Sequence, residues 1–247
     1  VIGGMFYVME LVEGRIFWDG KLPEVDWEER RPLYHSLIST LAQLHMLNPD
    51  ELGLTSFGAE GSYFERQVGR WTKQYRAAET ERIDEVERLI EWLPATLPTQ
   101  SGRSILHGDY RIDNVVYSND GSDIKAVLDW ELATTGDPLA DFAYVAMNWV
   151  MQGNGRKSQL GGVDFALEGI PDLEEITQLY CSLTGRPEVP DLKWYYAYSL
   201  FRLVGILQGI RKRFLDGNAS SEQAEETAKR VRPLAKQAWE FAQAAGA

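Results

Sequence analysis

The chain predicts an α+β fold, a helix-rich body with a small β insert near its middle. Three observations predict it. Apolar residues recur at helical spacing through most of the 247 residues. Between Ser104 and Asp129 the period changes to short apolar runs split by polar turns. After Pro138 the helical spacing returns. A hydrophobic content of 44% is enough to bury a sizeable core.

Each element follows in order. Residues 6–12, FYVMELV, are rich in aromatic and β-branched types and read as a strand. A turn region follows through Pro23. Residues 27–47 carry Leu33, Leu37, Leu41 and Leu44 on one helical stripe, with Asp26 placed to cap the start. Residues 63–78 and 83–93 read as two amphipathic helices, the second broken by Pro94 and Pro98. Residues 105–106, 115–117 and 126–128 are short apolar runs, and Asn119-Asp120-Gly121 marks a hairpin turn. Residues 139–151, 173–183, 192–214 and 221–245 are helical again, with Ser220 and Gln223 as a capping box for the last.

Composition excludes several function classes. Asp and Glu outnumber Lys and Arg by 37 to 25, a formal net charge of -12, which argues against a nucleic-acid partner. The lone Cys181 has no partner for an internal disulfide, which fits a reducing, cytoplasmic setting; its apolar helical surroundings predict a core position. No apolar run is long enough to insert across a bilayer. The opening VIGGMFYVMELVEG has neither the basic start nor the apolar block of a secretory signal, and no initiator methionine. It reads as a chain missing an N-terminal part. Oligomeric state stays open, a homodimer among the options.

The β insert holds the polar cluster. ILHGDYRIDNVVY sets Asp109 five residues before Asn114, a spacing that lets a tight loop turn both side chains toward one point. Asp129 ends the next strand, and a hairpin returns it beside that loop. Oxygen ligands of the Asn and Asp type are what Mg²⁺ prefers, usually one or two from protein with phosphates completing the shell. Asp109 is then left to orient a hydroxyl and take its proton, the division of labour that phosphoryl transfer needs. Taken singly, each of these residues is more often a turn former. Taken as an ordered set, they predict a site.

His107-Gly108-Asp109-Tyr110-Arg111-Ile112-Asp113-Asn114 resembles the H-G-D-x-x-x-x-N catalytic loop of the aminoglycoside phosphotransferase and choline kinase family. Asp129-Trp130-Glu131 is similar to that family's metal-binding D-x-[DE], and Gly136-Asp137-Pro138-Leu139-Ala140-Asp141 to the G-D-P-x-x-D segment that braces the loop. The resemblance runs over nearly the whole chain. It implies a protein-kinase-like fold: residues 1–13 as a hinge strand left from the N-lobe, and residues 14–247 as a mainly helical C-lobe with the catalytic loop and β-hairpin in 105–131. It implies an ATP- and Mg²⁺-dependent kinase acting on a small-molecule hydroxyl. Asp109 would be the catalytic residue, and Asn114 and Asp129 the metal ligands. Met9, Glu10 and Val12 would meet the adenine, Met9 from behind and the other two through backbone.

Phe17-Trp18 after Glu13-Gly14-Arg15, and Gln74-Tyr75 with Glu91-Trp92-Leu93-Pro94, are similar to the subgroup that includes phosphotransferase domains fused to acyl-CoA dehydrogenases. That implies a hydroxyacyl-CoA-like acceptor. The family's Gly-rich loop and phosphate-binding lysine precede the hinge and have no counterpart here, so the N-lobe is expected to be largely missing and turnover by this chain alone inefficient. The alternative is a non-catalytic, pseudokinase-like nucleotide-binding module.

Other features have plainer readings. Gly153–Ser158 lacks the contiguous Gly-Lys-Ser of a P-loop and reads as a loop. Asn218-Ala219-Ser220 reads as helix capping, not a glycosylation site. His45 reads as a packed core residue, and His107 as a support for the loop backbone. Trp149, Trp194, Tyr195, Tyr196 and Tyr198 read as core, with an acceptor pocket the other option. Arg202, Arg211, Lys212 and Arg213 could meet an anionic substrate, but a solvated helix face is the default.

Overall fold

The long helix α7 (Lys193–Leu215) organises the helical part of the chain in a computed structural model that describes residues 8–59, 61–151, 157–217, 226 and 229–247. Its first half is apolar nearly all round and buried from Trp194 to Val204, as a helix surrounded by others must be. Packed on it are α2 (Tyr63–Ala78), α3 (Asp84–Ala95), α4 (Leu139–Val150) and α8 (Val231–Ala244). A second layer forms where α1 (Trp27–Met46) packs on α6 (Leu173–Thr184), with the single-turn α5 (Phe165–Glu168) between α4 and α6 in sequence.

The caps follow side-chain chemistry. Ser62 accepts from the Glu65 N–H at the start of α2, and Asp172 from the Glu175 N–H at the start of α6. Gly185, at φ +68°, closes α6 in the left-handed conformation. Asp26 precedes α1 as expected, but its side chain caps nothing. Helix α3 runs one residue past Pro94, to Ala95, and stops there, because proline has no N–H to donate and cannot carry the helix further.

Two small antiparallel sheets hold the segment that carries the polar cluster. Strand β1 (Ser104–Leu106) pairs with β4 (Thr134–Gly136), Ser104 opposite Gly136 and Leu106 opposite Thr134. Strand β2 (Val115–Tyr117) pairs with β3 (Ile124–Val127), Val115 opposite Val127, with an irregularity at Tyr117. The hairpin is the expected one, its second strand shifted back by two residues. The strand expected over residues 6–12 is not formed in its described part: residues 8–12 are irregular, with Val8, Met9 and Leu11 exposed. A strand exists only against a partner, and among the described residues the first backbone pairing comes at Arg15, which bridges Tyr117. Gly14 makes that approach possible, because a Cβ there would sit 2.2 Å from the Tyr117 oxygen.

Among the described residues no helix is long and apolar enough to cross a membrane. The capping box at Ser220 and the tripeptide at Asn218 lie outside the described residues, as do residues 152–156 of the glycine-rich loop.

Candidate active site

The loop of residues 107–114 is built from its backbone outward. Asp141, at the start of α4 and 2% exposed, accepts from the His107 N–H (2.6 Å) and the Gly108 N–H (3.0 Å). Asp137 holds the opposite end of the same brace, accepting from the Ser101 N–H and hydroxyl (2.6 Å each) and from the Leu139 N–H (2.9 Å). Gly108 sits at φ +84°, and a Cβ there would meet the Leu132 oxygen at 2.5 Å, so only glycine fits. Tyr110 anchors the loop to α1 by donating to the Leu37 oxygen at 2.9 Å; burial pushes its phenol well above the ordinary range, so the proton stays on.

His107 is fully buried with both ring nitrogens engaged. Nδ1 accepts from the Asp109 N–H (3.1 Å), which puts the proton on Nε2, and Nε2 donates to the Leu128 oxygen (2.7 Å). The ring thus ties the catalytic loop to the end of β3, and Trp130 covers it with ring centroids 4.8 Å apart. The expected scaffolding role matches this geometry.

The structure brings Asp109, Asn114 and Asp129 together. The Asn114 amide donates to the Asp109 backbone oxygen at 2.8 Å and approaches Oδ2 at 3.4 Å, which leaves Oδ1 as its free ligand atom. The Leu128 N–H donates to the Asn114 oxygen at 2.8 Å, so Asp129 emerges next to Asn114. Asp129 itself has φ +65°, a left-handed position at the start of a 3₁₀ turn (Trp130–Leu132), and its carboxylate caps nothing. Among the described residues it makes no hydrogen bond or ion pair. A turn-forming aspartate would use its carboxylate locally; this one is exposed and unengaged. Arg111 lies 3.4 Å from both Asp109 and Asp113.

Met9, Glu10 and Val12 are not drawn into this cluster. They lie on the irregular segment before Arg15, and no hydrogen bond among the described residues links them to Asp109, Asn114 or Asp129. Arg15 fixes the end of that segment to the hairpin, donating to the Ser118 oxygen (2.9 Å) and the Gly121 oxygen (2.7 Å).

A cleft of about 160 Å³ opens against the loop between α2 and α7. Its walls are Tyr63, Gln67, Arg70 and Trp71 of α2, Gly108, residues 131–134 and Arg202 of α7. A larger cleft of about 310 Å³ lies around Arg66, Arg103 and Gly136; none of the three clustered residues lines either cleft, but the smaller reaches Gly108, the residue before Asp109. The five aromatics expected in the core are there: Trp149, Trp194, Tyr195, Tyr196 and Tyr198 are all buried. Sequence reasoning missed Tyr63 and Trp71 as cleft walls and set Arg202 aside as solvated, whereas it is 8% exposed. The available signal was its setting, a charge inside the apolar run Leu200-Phe201-Arg202-Leu203-Val204. Cys181 is half-buried rather than core, and burial raises its thiol above the ordinary value.

Residues 1–176 match the family model described as the phosphotransferase enzyme family. The mouse protein "Acyl-CoA dehydrogenase family member 10" is 41% identical over 98% of this chain and 23% of its own length. The chicken "Acyl-CoA dehydrogenase family member 11" is 42% identical over 98% of this chain and 31% of its own. The chain thus spans less than a third of these curated relatives. A solved structure from Ralstonia eutropha JMP134, provisionally assigned as an aminoglycoside phosphotransferase, superposes with a TM-score of 0.90 at 44% identity, covering 95% of this chain and 72% of that one. A Plasmodium vivax ethanolamine kinase shares the fold alone, with a TM-score of 0.60 at 13% identity over 93% of this chain and 66% of its own.

Proposed function

Because the chain belongs to the phosphotransferase enzyme family and has its protein-kinase-like fold, we propose that it moves the terminal phosphoryl group of ATP to a hydroxyl on a small molecule, with Mg²⁺. The observation that carries this reading is the convergence of Asp109, Asn114 and the unengaged Asp129 at the base of one hairpin. Their donor set fits the metal: a carboxylate with no other partner and an amide oxygen whose NH₂ is already used, both hard oxygen ligands. No cluster of three or more His, Cys, Asp or Glu forms a metal cage among the described residues, and a metal that also takes phosphates and water needs fewer protein ligands. When bound, Mg²⁺ neutralises phosphate charge as the bond to the leaving group lengthens.

The chain's own residues do the rest. Asn114 and Asp129 would hold the metal. Asp109, placed by the His107 ring and the Asp141 brace, orients the acceptor hydroxyl and takes its proton as the new O–P bond forms and ADP leaves. Met9, Glu10 and Val12 would contact adenine. The names of the relatives support a hydroxyacyl-CoA-like acceptor.

The test is calorimetric. Asp129→Ala and Asn114→Ala in the full-length protein should each weaken Mg²⁺-dependent ATP binding by at least roughly tenfold. Unchanged affinity in both would rule the assignment out.

A further inference from the structure

Arg202 is the arginine among the buried polar residues of the described chain. Arg76, Arg30 and Arg211 each pair with a carboxylate, on Glu87, Glu168 and Glu81. Arg202 is more than nine-tenths buried and, among the described residues, makes no hydrogen bond and no ion pair. Its guanidinium lies over two aromatic faces, Trp71 at 5.5 Å and Tyr144 at 5.4 Å. Such contacts steady the cation through its faces and leave its in-plane N–H groups unanswered.

Its neighbours share the deficit. Trp71 Nε1 and Arg202 Nε are both buried without an acceptor. The Tyr198 hydroxyl is close to Tyr63 and Trp71 but forms no well-shaped hydrogen bond with either. The site therefore has an excess of donors. Burial opposes the charge on Arg202, yet the surrounding tyrosines and the Asp109 carboxylate hold its pKa above the ordinary arginine range, so it stays a cation. A buried cation with no carboxylate in hydrogen-bond contact is costly, and a guanidinium fork matches a carboxylate or phosphate in two parallel hydrogen bonds.

Arg202 lines the same cleft as Gly108, next to the catalytic Asp109. Arg70 adds a second cation at the rim, 5.2 Å from Trp71, against the single cleft carboxylate of Glu131. A volume of about 160 Å³ admits only a short head group. We propose that this cleft is the acceptor subsite, and that Arg202 anchors an anionic group, carboxylate or phosphate, a few bonds from the hydroxyl presented to Asp109. This rests on the phosphotransferase reading above and narrows its acceptor to a short free hydroxy acid or hydroxyalkyl phosphate in place of the hydroxyacyl-CoA-like one, whose acyl end is a neutral thioester with its phosphates many bonds from the hydroxyl.

Binding without ATP tests it apart from catalysis. The probes are short straight-chain hydroxy acids, the matching hydroxyalkyl phosphates and the matching neutral diols, titrated into the full-length protein. The variants are Arg202→Met, Arg202→Lys and Asp109→Asn, each checked by thermal melt. At least one anion series should bind wild type and Asp109→Asn at least roughly tenfold more tightly than its diol. Arg202→Met should lower that affinity to the diol level, and Arg202→Lys should restore part of it. Which anion wins tells carboxylate from phosphate. Anions and diols binding alike, neither anion binding, or Arg202→Met leaving anion affinity intact would each overturn the proposal. Should Arg202→Met fail to fold, the wild-type anion-to-diol ratio and its loss at high salt decide. Anion binding with no phosphoryl transfer would sink the kinase reading and leave this one; transfer to diols with no anion preference would do the reverse.

Discussion

Among the described residues, the Asp109 carboxylate is not committed to the backbone and touches only the Asn114 amide and Arg111, each at 3.4 Å. His107 cannot take its place as the base, because both ring nitrogens already serve backbone groups. Asp109→Asn should therefore cut phosphoryl transfer by about 10²–10⁴-fold with the melting temperature little changed, measured by initial rates and a thermal scan. Asp141→Ala should behave differently. It strands two buried N–H groups, on His107 and Gly108, and should cost about 2–5 kcal/mol in urea unfolding as well as activity. These two residues were both legible in the sequence, since motif and spacing placed them. Arg202 was not. Helical periodicity tells that a residue lies on a helix, but not which neighbour covers it, and only the packing of α2 against α7 shows that Trp71 covers this one.

At the scale of elements, Glu81 joins three segments. From the connection between α2 and α3 it receives Arg211 of α7 and Arg232 of α8. The Arg232 and Arg211 guanidiniums hold its carboxyl below the ordinary value of 4.5. A depressed folded-state pKa gives stability that is present above the unfolded value and is lost as pH falls through the lower folded one. Glu81→Gln should thus flatten the fall in stability below about pH 4.5, read from urea midpoints across an acid series; an unchanged acid limb would contradict the linkage. The longer helices were legible from apolar residues recurring at helical spacing, whereas the four-residue α5 was too short to show any. Strand β4 was not: Thr134-Thr135-Gly136 has no apolar pattern, and it is a strand only because β1 lies beside it. The misread segment at residues 8–12 shows the converse, since strand-forming residues remain irregular without a ladder.

Across the whole molecule, one continuous core ties the α1–α6 layer to the helices around α7. Phe142 of α4 stacks on Tyr180 of α6 at 4.2 Å, both fully buried, just beyond the Asp141 brace. Phe142→Ala should cost about 3–5 kcal/mol and lower activity along with stability, because the cavity opens directly behind the catalytic loop. The helical architecture and the nearness of Asp109, Asn114 and Asp129 could be read from the chain; the cleft beside them could not, because its walls come from four stretches distant in sequence. The most direct test of the central claim is product analysis: full-length protein, Mg²⁺ and γ-labelled ATP with a hydroxy-bearing acceptor, followed by mass spectrometry of the acceptor. Wild type should yield a phosphate ester on the acceptor hydroxyl, and Asp109→Asn almost none. Label appearing only as free phosphate, at equal rates in both proteins, would contradict it.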